Sequence, residues 1–345
     1  MHTRIAVVYN QPACSRYSSA GEEAAVTGVL EAVAAVCSAL QELGYAVIRL
    51  PLALPIEEAE EQLRRLDTDL VFNLFEGFCG YPETEADIAD TLSAYGIPYT
   101  GSPGKALRLA LDKVKTSTIL RLNGVTTPDA QLMNDGNIAD FRLRYPCIVK
   151  PPAEDASHGV SEKSIVCDAA SLKEQVAFVN KTYGSQALVE EFIDGREFNI
   201  TIMGDTGGIA LPISEIEYSL PEGKPHILTF DAKWKPDSLY CKGTKVVCPA
   251  EIDSEEHRQI TETAIDAFDL LGCRGYARMD MRMDGGGRLY VIEVNPNPDI
   301  SPGSGAARQA GAAGLTYIQF INRIVKLALE KEKSENKYTA DARRR

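Results

Sequence analysis

Apolar positions in the first hundred residues repeat with two alternating periods. Residues 4–9, 46–50 and 70–73 are short, nearly continuous apolar runs, the pattern of strands buried on both faces. Between the first two runs, Val26, Val29, Leu30, Val33, Cys37, Leu40 and Leu43 recur at helical spacing, and Gly44 supplies a stop. Strand–helix–strand repeats of this kind predict a doubly wound parallel sheet with helices on its faces. Residues 86–95 and 105–120 read as further helices, and 124–128 as a break before a new unit.

From about residue 130 the pattern changes to many short strands with fewer helices, an α+β signature. Strands are predicted at 147–150, 187–191, 197–203 and 208–212, with a helix over 171–181. Ile260, Ala264, Ile265, Phe268 and Leu271 mark another helix, and 317–329 the last one. The charged stretch from Lys331 onward is expected to be disordered. The chain of 345 residues therefore divides into an α/β unit at 1–105, α+β units at 106–205 and 206–330, and a tail at 331–345.

Composition narrows the function class. Apolar residues are 44% and charged residues 25% of the chain, the balance of an ordinary globular protein. The net charge of −13 repels phosphate backbones, which argues against a nucleic-acid partner. The apolar run near the N-terminus is too short and too polar-flanked for a signal peptide, and none approaches a membrane span. Eight scattered cysteines without a C-x-x-C pair read as reduced, mostly buried thiols of a cytoplasmic protein. Four dispersed histidines offer no histidine-rich centre, so any metal would be held by oxygen.

The segment GYARMDMRMDGGGRLYVIEVNPNPD carries the sharpest chemical signal. Asp284-Gly285-Gly286-Gly287 reads as a turn, with Gly286 six positions after Asp280 and seven before Glu293. A hairpin then brings the two acids together. Alternation along the strands sets Arg278 with Asp280, and Glu293 with Asn295, while Tyr290, Ile292 and Val294 turn to the other face. An Asp/Glu/Asn oxygen set suits magnesium, which takes a few carboxylates together with phosphate oxygens and water. Two further segments are suggestive in company. Lys150 ends a buried strand before the small-residue loop Ala156-Ser157-His158-Gly159, which suits phosphates. The stretch Val189-Glu190-Glu191-Phe192-Ile193-Asp194-Gly195 could line a base pocket.

In this order, DLVFN, GIPYTGS, LDKVKTSTIL, PCIVKP, SHGV, VEEFIDGREFNI, FDAKW, CPAEI, GYARMD and VIEVNPNP resemble the D-alanine–D-alanine ligase family of the ATP-grasp superfamily, over roughly 69–329. The resemblance implies an ATP-grasp fold, with an N-terminal substrate domain and ATP held between the central and C-terminal units. It assigns Lys113 and Lys150 to the ATP phosphates and Ser157 to the loop closing over them. Glu190, Phe192 and Ile193 would hold adenine, and Glu197 the ribose. Lys233 matches the lysine reaching the terminal phosphate; Asp280, Glu293 and Asn295 match the Mg2+ ligands; Arg278 matches the arginine that stabilises the developing anion. The implied reaction phosphorylates a carboxylate to an acyl phosphate, which an amine then attacks. The resemblance also implies amino-acid-like substrates and a homodimer.

Departures cluster where the amino acids would bind. The segment after the first strand lacks the family's Gly-Gly, Ser, Glu pattern, with Glu22 or Glu23 as the available acids. The family's Leu-His-Gly is Phe75-Glu76-Gly77, its serine is Ala156, its lysine-adjacent tyrosine is Trp234, and its Pro-Gly is Pro298-Asp299. Ser304 matches the serine that holds the second substrate's carboxylate. Glu76 in place of imidazole favours a cationic or amine-bearing partner, and Trp234 offers a flat apolar or cation–π surface. The residues leave open a ligase of another amino-acid pair, a true D-alanine–D-alanine ligase, a kinase that stops at phosphorylation, or a non-catalytic ATP-binding relative.

Overall fold

A computed structural model describes residues 3–12, 24–153 and 157–342. β1 (Arg4–Asn10), α1 (Ala24–Glu42), β2 (Ala46–Leu52), α2 (Ile56–Arg64), β3 (Leu70–Leu74) and α3 (Glu85–Ala94) realise the strand–helix alternation of the first unit. The strands run parallel in the order β2-β1-β3. Ile5 and Val7 pack with α1, while Ala6 and Val8 pack with α2 and α3. Burial on both faces is what makes β1 read as an unbroken apolar run. Gly44, at φ 83°, turns the chain out of α1 in a conformation other residues avoid. Leu30, counted with the apolar stripe, is 43% exposed.

The helix expected over 105–120 is two helices, α4 (Gly104–Leu111) and α5 (Lys113–Leu122). Asp112 separates them: its ψ of 83° is not helical, and its carboxylate accepts the Lys115 N–H at 3.0 Å. An aspartate that caps a helix competes with the periodicity that would run through it. The break places Lys113 at the head of α5.

β4 (Ala130–Met133), β5 (Cys147–Lys150), β6 (Ile165–Val166), α6 (Ala169–Tyr183) and β7 (Ala187–Glu191) form the second unit. Its antiparallel sheet, ordered β4-β7-β5-β6, packs Val149 and Val189 against Leu172, Val176 and Val179 of α6.

The third sheet holds β8 (Gly195–Gly204), β9 (Ile209–Ala210), β10 (Ser214–Tyr218), β11 (Thr244–Val247), β12 (Gly275–Asp284) and β13 (Leu289–Asn295). Its order is β11-β10-β8-β12-β13, with β9 on β8, so β8 pairs with the last strands although it precedes residue 206. Of the strand expected over 208–212 only two residues pair. A Cβ on Gly195 would stand 2.0 Å from the Met283 carbonyl oxygen, so β8 enters the sheet at a position only glycine fits. Between β10 and β11 lie α7 (Phe230–Trp234) and α8 (Leu239–Lys242). α9 (Ser254–Leu270) lays Ile260, Ala264, Ala267 and Phe268 on Phe198, Ile200, Met279 and Met281.

α10 (Gly305–Ala312) and α11 (Tyr317–Ala342) then return to the first sheet, where Phe320, Ile321, Ile324 and Val325 join the core under α1. α11 runs well past residue 329, so the backbone is helical to Ala342 where disorder was expected; Glu, Lys and Ala in that stretch are good helix formers. The seven described cysteines are free: Cys37, Cys147 and Cys273 are buried and Cys167 is exposed, so the thiols are less uniformly buried than expected. Among the described residues no helix is long and apolar enough to cross a membrane.

Candidate active site

The β12–β13 hairpin sets Asp280 opposite Glu293 and Arg278 opposite Asn295, as the spacing predicts. A bulge between Asp280 and Met281 skips one residue of β13. The buried positions are therefore Leu289, Val291 and Val294, not the expected Tyr290, Ile292 and Val294, because the inserted residue reverses the alternation. On the polar face Arg278 donates two hydrogen bonds to Asp280, Nε to Oδ1 at 2.7 Å and Nη2 to Oδ2 at 2.8 Å. This fork-to-carboxylate pairing fixes the guanidinium in one orientation. Lys113 reaches across from α5 and places its Nζ 2.9 Å from Glu293 Oε1, with only 8% of its side chain exposed.

Lys150, at the end of β5, stands 2.6 Å from Glu190 Oε2 on the neighbouring strand β7. Phe192 and Ile193 lie in the link that carries the chain from β7 to β8, and the Arg282 guanidinium sits 4.8 Å from the Phe192 ring centroid. Glu197, buried on β8, accepts the Tyr218 hydroxyl at 2.7 Å and faces Arg282 at 3.6 Å. Burial pushes its carboxyl upward, against the pull of Arg282 and Tyr218. Lys233, on α7, is accessible from the cavity but walled by protein. That wall and the nearby Arg278 lower its ammonium, opposed by Glu293, Asp280 and Glu197. Burial also acts to raise Glu293, yet Lys113, Lys150 and Lys233 together hold it below the usual carboxylate range. The expected phosphate lysines therefore converge electrostatically on one acid.

A cavity of about 360 Å³ opens beside this cluster, between the first unit and the hairpin. Lys233, Arg278, Glu293 and Asn295 line one side, and Glu76, Glu85, Gly28 and Glu31 the other. Of the expected substrate residues, Glu76, Trp234, Asp299 and Ser304 all reach it. Glu76 is exposed there, its backbone N–H donating to Asn10 Oδ1 at 3.2 Å. Asp299 accepts from Ser301 N at 2.8 Å and Ser301 Oγ at 2.9 Å, and Ser304 caps α10 through Ala307 N at 3.3 Å. Ser157 Oγ donates to the Leu228 carbonyl at 2.9 Å, which ties its loop to the chain before α7. Ala156, Glu22 and Glu23 lie outside the described residues.

The structure adds groups that pattern reading passed over. Asn297 donates to Glu85 Oε1 at 2.7 Å and to the Phe75 carbonyl at 3.3 Å, bridging the hairpin's exit to the first unit. Nothing in the sequence relates those positions, which lie more than two hundred residues apart. His158 lines the cavity although it is 5% exposed. Gly28, a glycine inside the α1 helix, lies beside the Trp234 ring.

The donors on the hairpin fit a hard cation. Asp280, Glu293 and Asn295 offer side-chain oxygens on one face, and Asn295 Oδ1 already accepts the Asn297 N–H at 2.9 Å, leaving one lone pair. Among the described residues no three His, Cys, Asp or Glu side chains cluster as a cage. Two carboxylates and an amide suit an ion that completes its shell with phosphate oxygens and water.

A parallel N-terminal sheet followed by two antiparallel α+β units, with lysines and an oxygen triad at their junction, is the architecture of the ATP-grasp class. The D-ala D-ala ligase C-terminus family matches residues 118–326. The chain is 36% identical to the uncharacterized protein y4sG of Sinorhizobium fredii over 75% of this chain and 74% of that protein. It is 33% identical to the D-alanine–D-alanine ligase of Xanthomonas axonopodis over 76% of this chain and 78% of the relative. The crystal structure of the Bacillus anthracis D-alanine–D-alanine ligase complexed with ATP shares the fold, with a TM-score of 0.74 at 24% identity, covering 97% of this chain and 99% of that one. The protein belongs to the D-alanine–D-alanine ligase family.

Proposed function

We propose that this protein is an ATP- and magnesium-dependent carboxylate–amine ligase that joins two amino-acid-like substrates through an acyl phosphate. The observation that carries the reading is the convergence of Lys113, Lys150 and Lys233 on Glu293, at the edge of a cavity that also holds Arg278. Glu190, Phe192 and Ile193 receive the adenine, and Glu197 the ribose. The three lysines and the Ser157 loop hold the phosphates. Asp280, Glu293 and Asn295 would hold magnesium, which neutralises charge on the transferring phosphoryl group.

Residues 1–105 supply the substrate side, and the nucleotide lies between 106–205 and 206–330. One substrate's carboxylate attacks the terminal phosphoryl group. The acyl carbon of the product then takes the amine, and the fixed guanidinium of Arg278 faces the oxyanion that forms. Glu76, Trp234, Asp299 and Ser304, with Ala156 in the closing loop, select the pair of substrates. No side-chain nucleophile is needed.

The test is ADP release by the purified protein with magnesium-ATP and single or paired amino acids, with mass spectrometry of the products. D-alanine alone yielding a dipeptide identifies the cell-wall reaction. A condensed product only from another pair supports the ligase reading with altered substrates. ADP without a condensed product means a kinase. ATP binding without ADP from any pair refutes the proposal and leaves a non-catalytic nucleotide-binding protein.

A further inference from the structure

Amide formation has a requirement that the residues so far assigned do not meet. An amine reaches the site at neutral pH as an ammonium ion, without the lone pair that must attack the acyl carbon. A group beside it has to take one proton. The two hydroxyls the family carries here are gone, replaced by Ala156 and Trp234. Arg278 is bound through both hydrogen bonds to Asp280. Lys233 is assigned to the terminal phosphate, which it holds as a cation, although the cavity wall and Arg278 lower its ammonium against Glu293, Asp280 and Glu197. Carboxylates as a class are weak bases at neutral pH, whereas imidazole is the side chain best matched to that task.

We propose that His158 is the catalytic base that accepts the proton of the attacking amine. Among the described residues it is the histidine that lines the cavity, together with Lys233, Trp234 and Arg278. Its place is built. Left-handed residues flank it, Ser157 at φ 63° and Gly159 at φ 74°. A Cβ on Gly159 would meet the Pro151 ring at 2.8 Å, so the loop is drawn tight against the end of β5. On the other side the loop is tied to the chain leading into α7, by Ser157 Oγ to the Leu228 carbonyl at 2.9 Å and by Phe230 N to the Val160 carbonyl at 3.0 Å. The imidazole packs 5.4 Å from the Phe230 ring, which in turn lies 6.2 Å from Trp234. A 5%-exposed imidazole packed in this way has little room to reorient at the cavity wall.

The step balances. The ammonium gives a proton to an imidazole nitrogen, and the freed lone pair forms the C–N bond. The C–O bond to phosphate breaks, phosphate leaves with the electron pair and takes the second proton that the nitrogen must lose, and the imidazolium returns its own proton to water. The proposal rests on the ligase reading above.

The experiment compares the whole protein with its His158→Gln and His158→Asn variants in two reactions, using as acid the amino acid that supports ADP release. One reaction is condensation with the amino-acid amine. The other uses hydroxylamine, which is unprotonated at neutral pH and traps the acyl phosphate as a hydroxamate without a base. Condensation is expected to fall about 100-fold or more while hydroxamate forms at the wild-type rate. Calorimetric ATP binding checks that each variant is folded, and the asparagine variant stands in if the glutamine variant is not. Equal loss in both reactions overturns the proposal and makes His158 a support of the phosphate loop. Undiminished condensation overturns it as well. If the wild-type protein gives neither ADP nor hydroxamate with any amino acid, the ligase reading itself fails, and this step with it.

Discussion

Gly28 sits inside α1, where glycine costs a helix about 1 kcal/mol relative to alanine. Its backbone is not left-handed, so conformation does not demand it. Its neighbour is the Trp234 ring, whose Cη2 and Cζ3 would lie 3.5 and 3.8 Å from a Cβ at this position. Those distances are ordinary van der Waals contact, so a single methyl fits. Gly28→Ala should therefore stabilise the protein by about 0.5–1 kcal/mol and raise the thermal midpoint by about 1–3 °C. Gly28→Leu adds atoms that must enter the ring's space, at a cost of about 1–3 kcal/mol unless Trp234 moves. Circular-dichroism melts measure the first effect. Emission from Trp234, the chain's only tryptophan, reads the second without interference. A lower midpoint for Gly28→Ala, or a shifted emission maximum in that variant, would refute the reasoning, because it would mean the helix and ring have no room for a methyl.

Arg278→Ala should lower kcat about 100-fold or more while leaving ATP affinity nearly unchanged, and steady-state kinetics beside calorimetry will show whether the two losses separate; equal losses count against the oxyanion role. Glu76→Gln should weaken selection for a basic or amine-bearing substrate, read as a ratio of kcat/KM values across amino acids, and an unchanged ratio removes the residue from specificity. Asp168 caps α6, and hydrogen bonds from the Ser171 backbone and side chain hold its carboxyl below the ordinary range. Its contribution is present above the unfolded-state value and lost as pH falls through the folded one, so Asp168→Ala should lower the melting midpoint at pH 7 by an amount that vanishes in acid. Phe268→Ala empties a fully buried position between α9 and the third sheet and should cost about 3–5 kcal/mol in urea unfolding.

Local pattern was enough for most elements. β1 and β3 were legible as apolar runs because both faces of a parallel sheet are covered, and α9 because Ile260, Ala264 and Phe268 repeat on one side. The Asp280–Glu293 pairing was legible because a glycine turn leaves one register for the hairpin. Pattern reading failed where a single residue changes the geometry. Asp112 turned one helix into two, and the bulge after Asp280 exchanged Ile292 for Val291 in the core.

The sequence alone determined the periodicities, the order of the motifs and hence the family, since each depends on residues close together along the chain. The tertiary structure alone decided which of these residues meet. Lys113 reaches Glu293, Asn297 reaches Glu85, and Trp234 rests beside Gly28, across separations of some two hundred residues. The charge state of Glu293 was likewise undetermined until the fold set three lysines around it. Burial and Coulomb interaction depend on distance in space, and strand periodicity carries no information about which distant segment closes the other side of a cavity.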